Sequence, residues 1–255
     1  MTEVKAKKFL GQHFLTDESI ARRIVESLSG RTHSVVEIGP GMGVLTKYLI
    51  ENKELDFHVI EIDRESVAYL HNHYPSLDVI EGDFLKFDVT SLFHDTFAVI
   101  GNFPYNISSQ ILFKVFESRN QAVEVVGMFQ KEVAERVAAG PGSKTYGILS
   151  VLLSAFYDIE YLFTVHENVF NPPPKVKSAV IRMTRNGVNT LECDETLFVK
   201  TVKAGFNQRR KTLRNALRSA ALPIEAIPED LLAKRAEQLS VNDFIALTKK
   251  VESCL

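Results

Sequence analysis

The 255-residue sequence predicts an α/β fold, a mainly parallel sheet with helices on both faces, followed by a small all-helical domain. Short runs rich in Val and Ile alternate with amphipathic stretches from the N-terminus onward, which is typical of βαβ units. Near residue 187 these runs stop, and only helical patterns remain. We therefore expect a sheet-bearing domain over residues 1–186 and a helical domain over residues 187–255.

The first predicted element is a helix in the segment TDESIARRIVESL. Thr16 and Asp17 are residue types that cap helices, because their side-chain oxygens accept hydrogen bonds from free backbone N–H groups. A period of 3.6 residues places four apolar side chains on one face: Ile20, Ile24, Val25 and Leu28. The pattern therefore predicts an amphipathic helix.

The sheet is predicted from five apolar runs, which occur in the order SVVEIG, FHVIEID, LDVIEGD, FAVIGN and VEVVGMF. Amphipathic stretches such as ESVAYLHNHY and SQILFKVF separate them, so parallel strands joined by helices are expected. The segment KEVAERVAAGPGSKTYGILSVLLSAF then predicts two helices joined by a Gly-rich loop. Two more strand-like runs, DIEYLFTV and SAVIRMT, are expected to close the sheet as an antiparallel edge.

The C-terminal part is predicted to be helical. Its amphipathic segments are LFVKTVKAGF, KTLRNALRSA, EDLLAKRAEQL and NDFIALTKKV. Pro223 and Pro228 lie between these segments, and proline marks a helix boundary because it has no N–H group to donate. A small helical domain with short connections follows from this pattern.

Composition restricts the possible functions. Hydrophobic residues make up 45% of the chain and charged residues 24%, which is typical of a globular protein with a full core. No run of about 18 apolar residues and no signal-peptide pattern occurs, so we expect a cytoplasmic protein without membrane contact. Cys193 and Cys254 are too few for a disulfide framework, and free thiols are expected. His71 and His73 have no third ligand nearby, so no metal site is predicted.

A ligand-binding turn is predicted in VVEIGPGMGVLT, where Gly39, Gly41 and Gly43 come directly after a strand and before a helix. Glycine there allows a tight turn and a close approach of the backbone to a ligand. Glu61 ends the next strand about 20 residues on, where a carboxylate accepts hydrogen bonds from the two hydroxyls of an adenosine ribose. The alternatives are a Gly-rich connection without a ligand and a solvated acid at the end of a strand.

The residues around this turn distinguish between adenosine cofactors. A dinucleotide fold usually has a third glycine or alanine, whereas that position is Leu45 or Thr46 here. Glu37 precedes the turn; it would repel a diphosphate but attract the sulfonium and amino group of S-adenosylmethionine. Asp83, at the end of the third strand, is expected to accept a hydrogen bond from the adenine amino group, or else to cap a turn. The pattern therefore favours S-adenosylmethionine.

The stretch GNFPYNIS ends the fourth strand, so Asn102, Pro104 and Tyr105 are expected to face the ligand beyond the carboxyl ends of the strands. The exocyclic amino group of a nucleobase is a poor nucleophile, because its lone pair is delocalised into the ring. Asn102 Oδ1 and the Pro104 carbonyl would draw the amino hydrogens out of the ring plane and align the lone pair with a methyl group. Tyr105 offers a flat surface for stacking on a base taken out of its helix. These residues predict an amine methylation site, with a simple turn as the alternative.

The same motifs resemble a known family. GQHFL, VVEIGPGMGVLT, EID, GDFL, GNFPYNIS and VFNPPPKVKSAV occur in the order and spacing of the ribosomal RNA adenine-N6 dimethyltransferases, most similarly to the bacterial small-subunit enzymes. The likeness continues through GFNQRRKTLRNAL and RAEQLSVNDFIAL and covers nearly the whole chain. It implies a Rossmann-like methyltransferase sheet and S-adenosyl-L-methionine as the cofactor.

The resemblance also implies roles for individual residues. The implied cofactor-binding residues are His13, Leu15, Gly39, Glu61, Asp83 and Asn102. The implied catalytic residues are Asn102, Pro104, Tyr105 and Phe170, with Tyr105 and Phe170 enclosing the target adenine from its two faces. Two positions depart from the commonest pattern: His13 stands where asparagine is frequent, and Phe103 stands where leucine or proline is frequent.

Two basic clusters suggest contacts with RNA phosphates. The segment QRRKTLRNALR has five basic residues, several of which would share a helical face: Arg209, Arg210, Lys211, Arg214 and Arg218. The segment KAKKF is interpreted as a flexible arm that becomes ordered on RNA, with Lys5, Lys7 and Lys8. The alternative for the first cluster is a solvated helix without a partner, since the net charge of the whole chain is −2.

The implied activity is the transfer of two methyl groups to N6 of each of two adjacent adenosines in the 3′-terminal hairpin loop of 16S rRNA. A monomer that acts on the small ribosomal subunit, and in its biogenesis, is expected. The alternatives are the related large-subunit methyltransferase of the macrolide-resistance type, an assembly factor that acts mainly by binding, and a nicotinamide-dependent oxidoreductase. The longer helical tail and GQHFL favour the small-subunit activity, whereas Glu37 and NFPY argue against the oxidoreductase.

Overall fold

The structure is a computed structural model that describes residues 4–255, so the first three residues of the predicted sheet-bearing domain lie outside it. The chain forms two compact units. One unit comprises the chain up to Ala134 together with Ile159–Arg185, and the other comprises Glu135–Asp158 and Asn186–Leu255.

The elements follow the predicted order. The strands are β1 Phe14–Leu15, β2 Ser34–Ile38, β3 Asp56–Glu61, β4 Asp78–Glu81, β5 Phe97–Asn102, β6 Ala122–Gln130, β7 Tyr157–Val165, β8 Phe170–Asn171 and β9 Ser178–Arg185. The helices are α1 Glu18–Val25, α2 Thr46–Leu49, α3 Arg64–His73, α4 Ser108–Glu117, α5 Lys131–Val137, α6 Ile148–Ser154, α7 Glu195–Asn207, α8 Leu213–Ser219, α9 Glu229–Leu232 and α10 Val241–Glu252. None of the helices within residues 4–255 combines the length and the apolar composition needed to cross a membrane.

Seven strands form one sheet in the order β4-β3-β2-β5-β6-β9-β7. The first five strands in this order are parallel to one another, and β9 is antiparallel to β6. The two late strands therefore close one side of the sheet, with β7 at the edge, and the predicted antiparallel edge is confirmed. The two short strands β1 and β8 pair with each other in a separate antiparallel ribbon.

The parallel strands are buried on both faces. Val35, Val36, Glu37 and Ile38 of β2 are consecutive and all buried, although alternate side chains of a strand point to opposite faces. Both faces must therefore be covered, as in a parallel sheet flanked by helices. On one face α1 and α2 contribute to a core cluster that includes Ile24, Val35, Leu45, Leu49, Ala98, Ile100 and Val126. The predicted Rossmann-like α/β fold is confirmed.

Helix α1 shows how local sequence sets an element. The Asp17 carboxylate accepts hydrogen bonds from the backbone N–H groups of Ser19 at 2.9 Å and Ile20 at 3.1 Å, so the predicted cap is present. Ala21 and Ile24 are fully buried on the inner face. The helix ends at Val25, earlier than the predicted apolar face extends.

The second unit contains the C-terminal helices and one earlier segment. Glu135–Asp158, which the sequence prediction placed in the sheet-bearing domain, clusters with them. Helix α6 packs against α7 and α10, because its residues from Leu149 to Leu153 are all buried and need apolar neighbours on every side. The backbone N–H of Gly142 also donates to the Glu237 carbonyl at 2.7 Å, which attaches the Gly-rich loop to this unit.

The sheet topology determines where a ligand can bind. Strand β2 lies between β3 and β5, so the chain leaves β2 toward one side of the sheet and returns to its other side at β5. Open α/β sheets bind ligands beyond the carboxyl ends of the strands at such a reversal. Gly39 directly follows β2, and Asn102 ends β5.

Candidate active site

A pocket lies beyond the carboxyl ends of β2, β3, β4 and β5. Seven of the predicted site residues line it together: His13, Gly39, Glu61, Asp83, Asn102, Pro104 and Tyr105. Its other walls are mostly apolar and include Ile38, Ile60, Ile62, Phe84 and Leu85. Among the described residues that line the pocket there is no lysine or arginine, so a diphosphate would find no cation here.

The glycine turn after β2 has the conformation that the sequence predicts. Gly39 and Gly41 have φ angles of 66° and 58°, in the left-handed region that disfavours residues with a Cβ atom. A Cβ atom at Gly41 would also lie 2.8 Å from Cε1 of Phe14. The turn can therefore approach the N-terminal segment closely only because residue 41 is glycine.

Glu61 holds the turn and the start of α3 together. It is 3% exposed, and its carboxylate accepts hydrogen bonds from the backbone N–H groups of Gly41 at 3.0 Å and Asp63 at 2.8 Å. Burial raises the pKa of the Glu61 carboxyl, while these hydrogen bonds act in the opposite direction. A carboxylate has about four lone-pair sites, so capacity remains for the hydroxyls of a ribose.

Glu37 lies behind the turn and is also buried, at 1% exposure. The hydroxyl of Thr46 donates to its Oε2 atom at 2.6 Å. Burial raises the pKa of Glu37 to about 8, so its neutral form predominates near pH 7 without a ligand. Glu37 and Leu15 line a smaller cavity next to the turn, which also includes Gly39 and Asn102. Leu15 is therefore near the predicted site but does not line the main pocket.

Asp83 follows β4 and caps a turn, which is one of its two predicted roles. It lines the main pocket, and its Oδ1 atom accepts a hydrogen bond from the backbone N–H of Leu85 at 3.0 Å. Its Oδ2 atom lies 3.7 Å from the amine of Lys86, whose side chain is exposed. The turn therefore orients Asp83 while leaving acceptor sites on the carboxylate.

Asn102 is oriented by the N-terminal segment. Its Nδ2 group donates to the backbone carbonyl of His13 at 2.9 Å. Because the amide nitrogen is used in this way, the Oδ1 atom is the part that is available to accept a hydrogen bond from a ligand. Asn102 lines both the main pocket and the smaller cavity.

The Pro104 carbonyl differs from its predicted role. It accepts a hydrogen bond from the hydroxyl of Ser108 at 3.0 Å and another from the backbone N–H of Ile107 at 3.3 Å. Both lone pairs of this oxygen are therefore engaged in the turn that starts α4. By contrast, no group within residues 4–255 donates a hydrogen bond to the carbonyl of the preceding residue, Phe103. Sequence reasoning did not single out the Phe103 carbonyl, because a spacing pattern does not show which carbonyl a turn occupies.

Two glycines explain how phenylalanine is accommodated at position 103. A Cβ atom at Gly127 would lie 2.1 Å from Cε2 of the Phe103 ring, and one at Gly101 would lie 2.8 Å from Cε1. The ring is 1% exposed and packs at 4.9 Å between centroids against Phe129. The Phe103 side chain therefore belongs to the core beneath the motif. Its backbone N–H donates to the Met128 carbonyl at 3.1 Å, so the carbonyl is the part of this backbone that the site can use.

Tyr105 and His13 form a stacked pair. Their ring centroids are 5.2 Å apart, with 29° between the ring planes. The Tyr105 hydroxyl makes a hydrogen bond of 2.5 Å with the Ser178 hydroxyl, and burial raises the pKa of Tyr105. His13 Nδ1 lies 2.7 Å from the carbonyl oxygen of Pro172 and so donates to it. Both rings are thus held in one orientation at the mouth of the pocket.

Phe170 is placed differently from its predicted position at the target base. It is 4% exposed and lies in β8, paired with Leu15 of β1. Both side chains belong to the core cluster under the sheet. The structure therefore does not bring Phe170 to the pocket lining with Tyr105.

The N-terminal segment is attached to the sheet through Asp63, which sequence reasoning did not single out. Lys7 forms an ion pair with Asp63, and Gln12 Nε2 donates to the same carboxylate at 3.3 Å. Burial alone would raise the pKa of Asp63, but the hydrogen bonds from Lys7 and Gln12 lower it below its usual value. Lys7 is thus not a free cation, in contrast to the interpretation of KAKKF as an arm for RNA.

The C-terminal basic cluster does not form one helical face. Helix α7 ends at Asn207 and α8 begins only at Leu213. Arg209 Nε donates to Glu237 at 3.0 Å, and Arg214 forms an ion pair with Glu229. The predicted cluster is therefore divided between a turn and a helix, and two of its members have acidic partners. Arg210, Lys211 and Arg218 remain exposed.

The chain is similar to a known protein family over nearly its whole length. A family model described as ribosomal RNA adenine dimethylase matches residues 3–250. The chain is 61% identical to the ribosomal RNA small subunit methyltransferase A of Cytophaga hutchinsonii over 97% of this chain and 98% of that protein. It is 57% identical to the protein of the same name from Bacteroides thetaiotaomicron, over 100% and 97% of the two chains.

Solved structures show the same fold. A dimethyladenosine transferase from Plasmodium falciparum superposes with a TM-score of 0.75 at 27% identity, covering 93% of this chain and 98% of that one. The 23S rRNA methyltransferase ErmE superposes with a TM-score of 0.71 at 23% identity, over 94% and 99% of the two chains. The likeness to ErmE shows a shared fold alone.

Proposed function

Because the chain belongs to the ribosomal RNA adenine dimethylase family, we propose that its substrate is the small-subunit rRNA, at N6 of two adjacent adenosines in the 3′-terminal hairpin loop. The chain is an rRNA adenine-N6,N6-dimethyltransferase that uses S-adenosyl-L-methionine. Relatives named for the small subunit match nearly its full length at 55–61% identity, which supports this substrate over the large-subunit alternative. The single structural observation that supports the proposed reaction is the orientation of Asn102, whose Oδ1 atom is left to accept a hydrogen bond from the substrate.

The pocket residues fit S-adenosyl-L-methionine. Glu61 and Asp83 both line this mostly apolar pocket, and their carboxylate oxygens match the ribose hydroxyls and the adenine amino group of the cofactor. Gly39 brings the backbone close to the pocket, where a methionine part would lie. Glu37, buried next to the turn, would bind a positive group more tightly once it is deprotonated.

The proposed mechanism depends on two acceptors at the end of β5. S-Adenosyl-L-methionine would supply an electrophilic methyl group here and leave as S-adenosylhomocysteine, and N6 would release one proton to solvent at each transfer. Asn102 Oδ1 and the Phe103 carbonyl are placed to accept the two hydrogens of an adenine amino group, which would localise its lone pair and align it for transfer. Because the Pro104 carbonyl is already occupied, we assign its role to holding the turn, with φ fixed by the ring.

The remaining site residues position the target base. We infer that Tyr105 provides a stacking surface, since its hydroxyl is bonded to the Ser178 hydroxyl and its ring is oriented by the His13 ring. The exposed Arg210 and Lys211 are proposed to contact rRNA phosphates.

The test is methyl transfer from labelled S-adenosyl-L-methionine to purified, undermethylated small subunits, with large subunits and naked rRNA assayed in parallel and products mapped by mass spectrometry. Dimethyladenosine at two adjacent positions of the small subunit is the expected result. Label in the large subunit would instead identify the macrolide-resistance type of activity.

An Asn102→Ala variant tests the role of the acceptor. We expect a loss of about 10²-fold or more in transfer rate, similar to the removal of one hydrogen-bonding group from other active sites. Asn52→Ala, on the exposed surface, is the control. If Asn102→Ala binds subunits normally, lacks activity and still fully restores assembly in a deletion strain, the assembly-factor alternative is favoured.

A further inference from the structure

A second cavity opens beside the donor pocket and shares a wall with it. Gly11, Gln12, His13 and Tyr105 line both cavities. The second cavity has a volume of about 430 Å³, which is within the range of cavities that bind small ligands. A nucleotide chain that delivers a base to the donor pocket would therefore pass directly into this space.

The second cavity lacks the groups that we propose act on the reacting amino group. Asn102, which carries the proposed acceptor for the reacting amino group, does not line it. The stacked rings of His13 and Tyr105 stand between the two spaces. A base in the second cavity would accordingly be a neighbour of the reacting base rather than the reacting base itself.

Gln130 is the polar group that could recognise such a base. Its backbone is fixed at the end of β6, opposite Ser178 of β9. Its side chain lines the cavity, and no hydrogen bond to its amide is formed within the described residues. A glutamine amide forms two hydrogen bonds with adenine, because its oxygen accepts from N6–H and its nitrogen donates to N7. Guanine presents two acceptors at these positions and does not match.

The other walls are suited to a nucleotide. Pro172, Pro173 and Pro174 form a stiff segment on one side, since each ring restricts its backbone angle φ. The exposed Lys8 and Lys175 lie at the rim, where their amines can contact phosphates without reading the sequence. Apolar walls, one unpaired amide and two cations together match a nucleoside with its flanking phosphates.

We propose that this cavity binds the adenosine next to the one being methylated, and that Gln130 recognises it through N6 and N7. The inference rests on the proposed function, because it requires two adjacent adenosines in the substrate. The proposed contact depends on the order in which the two adenosines are methylated. Once the neighbour is dimethylated, its N6 atom has no hydrogen to donate to Gln130. Gln130 therefore assists only until the neighbour is dimethylated, that is, during the first of the two dimethylations.

The test uses the full chain and small subunits in which one of the two adenosines has been replaced by guanosine in the rRNA. The rate of methylation of the remaining adenosine is compared with its rate in unaltered subunits. In one of the two altered subunits, the replaced adenosine is the neighbour that would occupy the second cavity. There we expect the wild-type enzyme to methylate the remaining adenosine more slowly than in unaltered subunits, by about tenfold or more, which is a preference for an adenosine neighbour. Gln130→Leu is expected to abolish this preference by slowing only the reaction with the adenosine neighbour.

A second variant and a binding measurement control for misfolding. Gln130→Met keeps the approximate length of the side chain but has no amide to pair with N6 and N7, so it should also lose the preference. The affinity of both variants for S-adenosyl-L-methionine should equal that of the wild type, because Gln130 does not line the donor pocket.

Three results would overturn the proposal. The wild-type enzyme could show no preference, the variants could retain it, or the variants could slow both substrates equally. A wild-type enzyme that methylates no small subunit would refute the proposed function and this inference with it. By contrast, normal transfer with no role for Gln130 would refute only the inference.

Discussion

At the scale of single residues, burial of the Glu37 side chain raises the pKa of its carboxyl group. Its pKa of about 8 lies above the usual value of 4.5, so the folded protein binds this proton more tightly than the unfolded chain does. A raised carboxyl pKa contributes stability that is fully present below pH 4.5 and is lost as the pH rises through 8. The charge of Glu37 is thus decided by its surroundings, and a cationic ligand would shift it toward the ionised form.

We expect Glu37→Gln to reduce the dependence of stability on pH between about 5 and 8. The wild-type free energy of unfolding should fall with rising pH in this interval, by up to about 1.4 kcal/mol per pH unit from this group. Glutamine removes that contribution while still accepting the Thr46 hydrogen bond. Urea unfolding midpoints at pH 5, 6.5 and 8 measure the effect, with Glu51→Gln on the exposed surface as the control. Equal slopes in wild type and Glu37→Gln would contradict the prediction.

At the scale of structural elements, the turn after β2 and the N-terminal segment depend on each other. Gly41 donates its N–H to Glu61 and lies against the ring of Phe14, while the carbonyl of His13 orients Asn102. The segment that carries GQHFL is therefore part of the active site although it precedes the sheet. Its contacts are formed only when β2, β3 and β5 are already adjacent.

Gly41→Ala is expected to destabilise the protein by about 1–2 kcal/mol from its positive φ angle alone. The clash with Phe14 should add to this cost and displace the N-terminal segment. We expect affinity for S-adenosyl-L-methionine to fall as well, which calorimetric titration would show. Gly140→Ala is the matched control, because nothing lies within 4 Å of its Cβ position and its φ angle is not positive. Similar losses in the two variants would argue against a special role for the turn.

Lys7→Met should loosen the N-terminal segment. It removes the cation from Asp63, whose side chain is only 1% exposed, and leaves the hydrogen bond from Gln12. Because Phe9 is 77% exposed, chymotrypsin can report on the segment, and we expect faster cleavage after Phe9 than in the wild type. Lys5→Met, at an exposed neighbouring lysine, should leave the rate unchanged. Protection by S-adenosyl-L-methionine is expected to be weaker in Lys7→Met.

At the scale of the whole molecule, binding to RNA must come from local charge, since the net charge is −2. The acidic partners Glu229 and Glu237 neutralise two of the C-terminal arginines. The cations available for phosphates are therefore fewer than the sequence pattern suggests, and Arg210 and Lys211 are the first candidates.

Arg210→Glu and Lys211→Glu should each weaken binding to small subunits and reduce its salt dependence. Each phosphate contact contributes about 0.7–0.9 to the slope of log affinity against log salt concentration, and each variant should remove about one such contact. Lys250→Glu, an exposed lysine on α10, is the control for a change of net charge. If all three variants lower affinity equally, the effect is general electrostatics and the two residues make no specific contact.

The residues that end strands were the most predictable part of the site. Gly39, Glu61, Asp83 and Asn102 each follow or end a parallel strand, and carboxyl ends of adjacent strands meet at one edge. Their convergence in one pocket therefore follows from a correct assignment of strands. Phe170 shows the limit, because a two-residue strand carries no periodicity that would tell which face its side chain occupies.

The sequence by itself determined the α/β class, the cofactor and the kind of reaction, because periodicity, the glycine turn and NFPY are local patterns with local physical causes. The tertiary structure decided which groups are free to act. Ser108 occupies the Pro104 carbonyl, and Lys7 is paired with Asp63, 56 residues away. The Gln130 amide has no hydrogen-bond partner within residues 4–255, and only the tertiary structure shows that it lies at the same cavity as the proline segment before β9. Such pairings depend on contacts between residues distant in the chain, and no local spacing encodes them.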